Sequence, residues 1–136
     1  MQSTLGHIQI CIDLGNLPFY KELFTFLGWK LLYEEPEVLG ITDTQHTSLW
    51  FTPKLKPHVN DFDGNGTNHF ALHVPHQSDV DEMVTWLKER GIPALFETPR
   101  HRPEFSGGQG TTYYQVMFTT PDDLLFEVVY MGPKSQ

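Results

Sequence analysis

Gly6-His7-Ile8-Gln9-Ile10-Cys11-Ile12 and Asn68-His69-Phe70-Ala71-Leu72-His73-Val74 decide how this chain is read. Each stretch alternates apolar and polar residues with period two, the signature of a strand covered on one face. Each opens with a histidine, and His7 and His69 stand 62 residues apart. A helix-like stretch follows each, closing at Leu27-Gly28 and Arg90-Gly91, which lie 21 and 22 residues beyond their histidines. Self-similarity at a fixed period marks repeated modules, and such modules place their leading residues in equivalent positions. Two imidazoles are therefore expected at matching places in two copies of one design.

Working outward from His7, Ile8, Ile10 and Ile12 share one face, and Gln9 and Cys11 share the other with the histidine. Asn16-Leu17-Pro18 supplies a helix start, with Asn16 as cap and proline in the first turn. Phe19, Leu23, Phe26 and Leu27 recur at helical spacing until Gly28. Residues 29–33, 38–42 and 48–52 read as short strands, so the module is β-α-β-β-β over residues 5–52. Residues 53–67, rich in proline, glycine and asparagine, read as a linker. The second module, residues 68–131, repeats the order. Ser78 is its expected helix cap, with Asp81 or Glu82 in the first turn, and Val80, Met83, Val84 and Leu87 form its apolar stripe. Residues 95–98 read as a strand and residues 99–110 as a long loop. Residues 112–119 and 124–131 read as a hairpin closing over Pro121-Asp122-Asp123. The fold class is α+β.

Bulk properties narrow the functions. The chain has 136 residues, is 39% hydrophobic and contains 18 aromatic residues, enough for one domain with a real core. No apolar run approaches the ~20 residues needed to span a bilayer. Met1-Gln2-Ser3-Thr4 leads straight into a strand, so no secretory leader is expected, and the lone Cys11 excludes an internal disulfide framework. A cytoplasmic location fits both. The net charge of -8 argues against nucleic acid.

The chemistry comes from following the faces. With the isoleucines of module one and Phe70, Leu72 and Val74 under the helices, both histidines point to the opposite, concave face. In Leu124-Leu125-Phe126-Glu127-Val128-Val129-Tyr130, alternation puts Glu127 on that face too. A carboxylate in so apolar a strand is costly unless paired, hydrogen-bonded or bound to metal. His7, His69 and Glu127 together would form a facial metal triad with open coordination positions, and the plainer alternative is that Glu127 pairs with a buried arginine or histidine. Cys11 lies more than ~12 Å along its strand from His7 and is not expected to ligate. His46, His58, His76 and His101 are expected in solvated loops. The concave face would also carry Gln9, Ser48, Trp50, Tyr113, Gln115 and Met117, with His73 at its border. The glycine-containing loop with Arg100 and Arg102 has the makings of a lid that grips an anionic group, or of an ordinary solvated loop.

The paired modules, His7, the His69-Phe70-Ala71 start, and the ending Tyr114-Gln115-Val116-Met117-Phe118, Pro121-Asp122-Asp123, Phe126-Glu127-Val128-Val129 resemble the vicinal oxygen chelate superfamily. That group contains glyoxalase I, extradiol dioxygenases, fosfomycin-inactivating thiol transferases and bleomycin-binding proteins. The resemblance implies an eight-stranded, cup-shaped mixed sheet spanning residues 1–136 as a single domain. It further implies His7, His69 and Glu127 as ligands of one divalent ion (Fe, Mn, Ni, Co or Zn), and a homodimer. The sequence departs from glyoxalase I where that enzyme carries a fourth ligand on the last strand of module one, for here Ser48 or Trp50 would face the metal. The expected activity is a metal-dependent lyase, isomerase or dioxygenase acting on a small substrate held through two oxygens. Tyr113 and His73 are the candidate acid/base residues, and Gln9, Ser48, Trp50, Gln115, Met117, Arg100 and Arg102 the candidate substrate contacts. A thiol transferase of the fosfomycin type and a non-catalytic drug-binding protein are the alternatives.

Overall fold

Both helices of the computed structural model end in the same way, and this is the clearest mark of the repeat. The structure describes residues 1–135. Helix α1 (Leu17–Phe26) is followed by Gly28 at φ +80. The Gly28 amide donates to the Thr25 carbonyl at 3.1 Å and the Trp29 amide to the Phe24 carbonyl at 2.9 Å. Helix α2 (Gln77–Glu89) is followed by Gly91 at φ +66, whose amide donates to Lys88 while Ile92 donates to Leu87. These are paired Schellman caps, and the left-handed backbone they need is the reason glycine sits at both positions. In the first, Trp29 also packs edge-on against Phe24, the apolar contact usual for the motif.

The chain divides into two compact units, residues 1–59 and the residues from Asn60 onward. The first contains strand β1 (His7–Ile12), a short 3-10 turn, α1, and strands β2 (Lys30–Glu35), β3 (Val38–Thr42) and β4 (Ser48–Pro53). Its sheet runs β1-β4-β3-β2, with β1 parallel to β4 and the rest antiparallel. The second contains β5 (His69–His73), α2, β6 (Leu95–His101), a 3-10 turn, β7 (Thr111–Thr119) and β8 (Leu125–Pro133). Its sheet runs β5-β8-β7-β6, with β5 parallel to β8. Both units are thus β-α-β-β-β with four-stranded mixed sheets, an α+β protein as expected. Among the described residues no helix is long and apolar enough to cross a membrane.

Each core lies between its helix and one sheet face. In the first unit Tyr20, Leu23 and Phe24 are buried with Ile10, Ile12, Leu49 and Phe51, and Tyr20 stacks on Phe51 at 4.4 Å. In the second, Val80, Met83, Trp86 and Leu87 are buried with Val116, Phe118, Phe126 and Val128. Burying each such side chain contributes about 1.5–3 kcal/mol. The opposite sheet faces are therefore left to His7, Gln9, Ser48 and Trp50 in one unit and to His69, Glu127, Gln115 and Met117 in the other.

The closing hairpins repeat as closely as the helix ends. The Asp43 carboxylate accepts the amides of Gln45 and Thr47, and the Asp43 amide donates to the Thr47 carbonyl. The Thr120 hydroxyl accepts the amides of Asp122 and Leu124, and the Thr120 amide donates to the Leu124 carbonyl. The fourth residue of each turn is left-handed without being glycine, His46 at φ 68 and Asp123 at φ 58.

Local departures from expectation have local causes. Asn16 sits at the N-cap of α1 but makes no side-chain cap bond, because the preceding 3-10 turn already holds it in a helical conformation. Helix α2 starts before Ser78: His76 is its N-cap, and the Asp79 carboxylate accepts the His76 amide at 2.8 Å. Trp86 joins the buried stripe, while Val84 is only half-buried. Strand β6 runs on to His101, so Pro99, Arg100 and His101 belong to the sheet and the loop begins at Arg102. It does so across a bulge, with Phe96 and Glu97 at φ 56 and 60. There the Thr98 hydroxyl donates to the Leu95 carbonyl and accepts the Met117 amide, replacing a missing ladder bond.

Candidate metal centre

In the second unit, strand register decides what meets. Parallel pairing sets His69 beside Leu125 and Ala71 beside Glu127, and antiparallel pairing sets Met117 beside Glu127 and Gln115 beside Val129. His69, Glu127, Gln115 and Met117 therefore share a face, and Tyr113 lies on the same side of β7. His69 Nε2 stands 3.1 Å from Glu127 Oε2. The Glu127 side chain is 3% exposed and that of His69 37%. The Tyr113 hydroxyl donates to the other carboxylate oxygen, Oε1, at 2.5 Å. Burial and the bond to Glu127 push the Tyr113 hydroxyl far above its ordinary phenolic value.

A buried carboxylate needs compensation: the tyrosine donates to one oxygen, and the other faces the imidazole Nε2 across a gap that a proton or a cation must bridge. The same arrangement fits a divalent ion. Two ligand bonds of about 2.1 Å meeting near a right angle leave their ligand atoms about 3 Å apart, as Nε2 and Oε2 are. Imidazole and carboxylate suit first-row transition metals. Within either unit, among the described residues, no group of three or more His, Cys, Asp or Glu side chains gathers for a metal. The second unit offers a ligand pair, and the third expected ligand, His7, belongs to the first unit.

His7 begins β1 opposite Ser48, with Gln9 opposite Trp50. His7 is exposed, and Gln9 donates to the Thr52 hydroxyl at 3.1 Å. Trp50 is built into the sheet face. Its indole Nε1 donates to the Ser48 hydroxyl at 3.0 Å, and its ring lies so close over Gly40 that a Cβ there would meet ring carbons at 2.7 Å. Tyr33 flanks it at 5.9 Å between ring centroids. By register Trp50 occupies in β4 the place that Glu127 occupies in β8. No carboxylate ligand stands there.

The remaining candidates are distributed as follows. His73, at the end of β5 opposite Val129, is exposed on the His69 side. Arg100 lies in β6 opposite the buried Gln115 rather than in a loop, which brings it to the Glu127 face of the sheet. Its Nε is buried without a hydrogen-bond partner among the described residues, and its tip is 3.9 Å from Glu97. Arg102 pairs with Glu104 and covers the Phe105 ring at 4.7 Å, and Phe105 in turn packs edge-on against Tyr113 at 5.4 Å. The loop after β6 is thereby tied to the tyrosine that holds Glu127. His101 is not a solvated loop residue: it stacks on Tyr114 at 4.5 Å and bonds the buried Thr112 hydroxyl through Nδ1. Tyr114 reaches across to Asp81 on α2 at 2.7 Å, and burial and that bond push its hydroxyl up to about 12.

One participant escapes sequence reasoning altogether. Asn68 Oδ1 stands 2.8 Å from His69 Nδ1. An asparagine before a strand reads as a turn residue, and only the fold reveals its second role.

Similarity to known proteins agrees with this architecture. A candidate glyoxalase from Bacillus halodurans has 28% identity and a TM-score of 0.78, with 95% of this chain and 96% of that one covered. FosX, a fosfomycin resistance protein of Listeria monocytogenes solved with Mn(II) and a sulfate ion, has 18% identity and a TM-score of 0.67, over 96% of this chain and 91% of its own. A glyoxalase/dioxygenase from Nostoc punctiforme has 17% identity and a TM-score of 0.68, over 95% and 91%. No curated protein matches by sequence. Residues 14–128 match the profile of one family, and the chain belongs to the Glyoxalase/Bleomycin resistance protein/Dioxygenase superfamily.

Proposed function

We propose that this protein is a metal-dependent enzyme of the vicinal oxygen chelate type, acting on a small substrate held through two oxygens as a lyase, isomerase or dioxygenase. The observation that carries the reading is the convergence of His69 Nε2 and Glu127 Oε2 at 3.1 Å on a buried carboxylate. His69 and Glu127 would hold the ion, with His7 as third ligand from the same chain or from a partner copy in a homodimer. When bound, such an ion supplies Lewis acidity that stabilises negative charge developing on a substrate oxygen.

The chain's own residues divide the remaining work. Tyr113 holds Glu127 through Oε1 and leaves Oε2 as the ligand atom, a positioning role beside the acid/base role its chemistry allows. Arg100, with its unpartnered Nε, is the candidate contact for an anionic substrate group. Gln115 and Met117 line the Glu127 face, and Gln9, Ser48 and Trp50 the His7 face. His73, exposed on the His69 side at the end of β5, is the candidate base at the border of the site. FosX binds Mn(II) on a related fold, which supports a divalent ion without selecting it. A cytoplasmic protein fits the composition.

The broad indole face of Trp50, in the place of a ligand, favours a second reading. It is a surface on which a planar molecule would stack, as in a non-catalytic binding protein.

The deciding experiment is the metal content of anaerobically purified protein beside its His69→Ala variant. About one equivalent of transition metal, lost in the variant, is expected. Iron would direct the search to dioxygenase substrates, and nickel, zinc or cobalt to lyase and isomerase substrates. Absence of metal from the wild type after reconstitution would overturn the enzyme reading in favour of the binding protein.

A further inference from the structure

We infer that Asn68 is a positioning residue for the metal ligand His69, fixing which imidazole nitrogen is free to bind. The inference rests on the metal reading of His69 and Glu127 and goes beyond it to a residue that touches no ligand position itself.

The amide of Asn68 has only one orientation that satisfies its neighbours. Its Nδ2 donates to the Phe62 carbonyl at 2.8 Å. Oδ1 must then be the atom facing His69 Nδ1, at 2.8 Å. Because Oδ1 can only accept, Nδ1 carries a hydrogen, and in neutral imidazole the lone pair is left on Nε2. Nε2 is the nitrogen that stands 3.1 Å from Glu127 Oε2. Asn68 therefore sets both the tautomer and the ring direction that a metal bound between Nε2 and Oε2 requires.

The segment before Asn68 is built to hold that amide still. The Asn60 side chain donates to the Asp123 carbonyl, and the Asp61 carboxylate accepts the Asp63 amide. Gly64 closes the turn onto the Asp61 carbonyl at 2.9 Å. Phe62, whose carbonyl receives Asn68, packs edge-on against Phe96 at 6.5 Å. Residues 60–67, part of the stretch read from composition as linker, thus form with Asn68 a bracket on the second unit that ends at the metal ligand. Its purpose is legible from chemistry: Asn68 is exposed, so its two amide bonds add little to a core, and their shared consequence is the state of His69.

Two measurements test this. The first is calorimetric titration of Co(II) into metal-stripped wild type, Asn68→Ala and His69→Ala. Loss of an outer partner typically weakens metal binding 10–100-fold, so Asn68→Ala is expected in that range and His69→Ala to lose the high-affinity site. The second needs no variant: long-range proton–nitrogen spectra of the zinc-loaded wild type are expected to show His69 with its hydrogen on Nδ1. Wild-type affinity in Asn68→Ala, or a hydrogen on Nε2 in the loaded wild type, would overturn the role of Asn68 and leave the metal reading standing. Failure of the wild type to bind Co(II) would instead bring down the metal reading, and this inference with it.

Discussion

Trp50 and Glu127 occupy the same place in two copies of one design. Each lies in the last strand of its module, beside the residue two positions after the leading histidine. Their surroundings match their chemistry. Glu127 is neighboured by Met117 and receives the Tyr113 hydroxyl. Trp50 is neighboured by Gly40, which vacates the space the indole needs, and its nitrogen is satisfied by Ser48. The comparison shows that a duplicated scaffold fixes positions and leaves chemistry free: the same register point is a buried anion in one copy and a rigid aromatic wall in the other. It also shows that such an exchange involves several residues at once, since neither Trp50 nor Glu127 would sit stably in the other's surroundings.

The largest test of this comparison is Gly40→Ala. A Cβ there would lie 2.7 Å from the Trp50 ring, a contact that one of the two must relieve by moving. Overpacking of this kind costs about 1–3 kcal/mol, read as a lower urea midpoint. Adding Trp50→Leu to Gly40→Ala should recover part of the loss, a coupling expected only where the two residues touch. Met117→Leu at the matching point of module two conserves volume and should cost less than about 1.5 kcal/mol. Equal stability of Gly40→Ala and wild type would mean that the indole does not depend on the glycine.

Much of this was legible because the governing signals are periodic or steric. Period two sorted His7, His69 and Glu127 from Ile10, Phe70 and Phe126, since a half-buried strand admits only one register. Gly28 and Gly91 marked the helix ends because few residues other than glycine accept a left-handed C-cap. What stayed hidden depends on partners distant in sequence. The extension of β6 through Pro99 to His101 relies on a bulge patched by the Thr98 hydroxyl, which no local pattern announces. His76 is an uncommon N-cap, so Ser78 looked the better choice. Residues 60–67 have linker composition, yet Asn60 and Phe62 find partners at Asp123 and Phe96.

The matching hairpins yield a smaller test. His46 and Asp123 hold the same left-handed position in the two turns, where a side chain costs energy that glycine avoids. His46→Gly and Asp123→Gly should each stabilise by about 0.5 kcal/mol, part of the relief being offset by glycine's greater freedom in the unfolded chain. The turns belong to different units, so the double variant should show the sum. Stabilisation at one turn alone would reveal that the repeat is geometric but not energetic.

The smallest effect separates the outer strands β2 and β6. Strand β2 is exposed along its whole length, whereas β6 ends in His101, stacked on Tyr114 and bonded to Thr112. Burial, and then repulsion from Lys134, hold the His101 imidazole below its ordinary value, with Asp81 partly offsetting them. A histidine whose folded value is depressed binds its proton less readily than the unfolded chain does. The unfolded state therefore gains protons first as pH falls below about 6.5, and this contribution to stability is lost in that direction. His101→Phe keeps the ring stack and removes the titration. Urea unfolding at pH 7.5 and pH 5 should show a slightly larger acid-side loss for wild type than for His101→Phe. Parallel losses in the two proteins would mean that the site tolerates the imidazolium, and that β6 is no more sensitive to acid than its exposed counterpart β2.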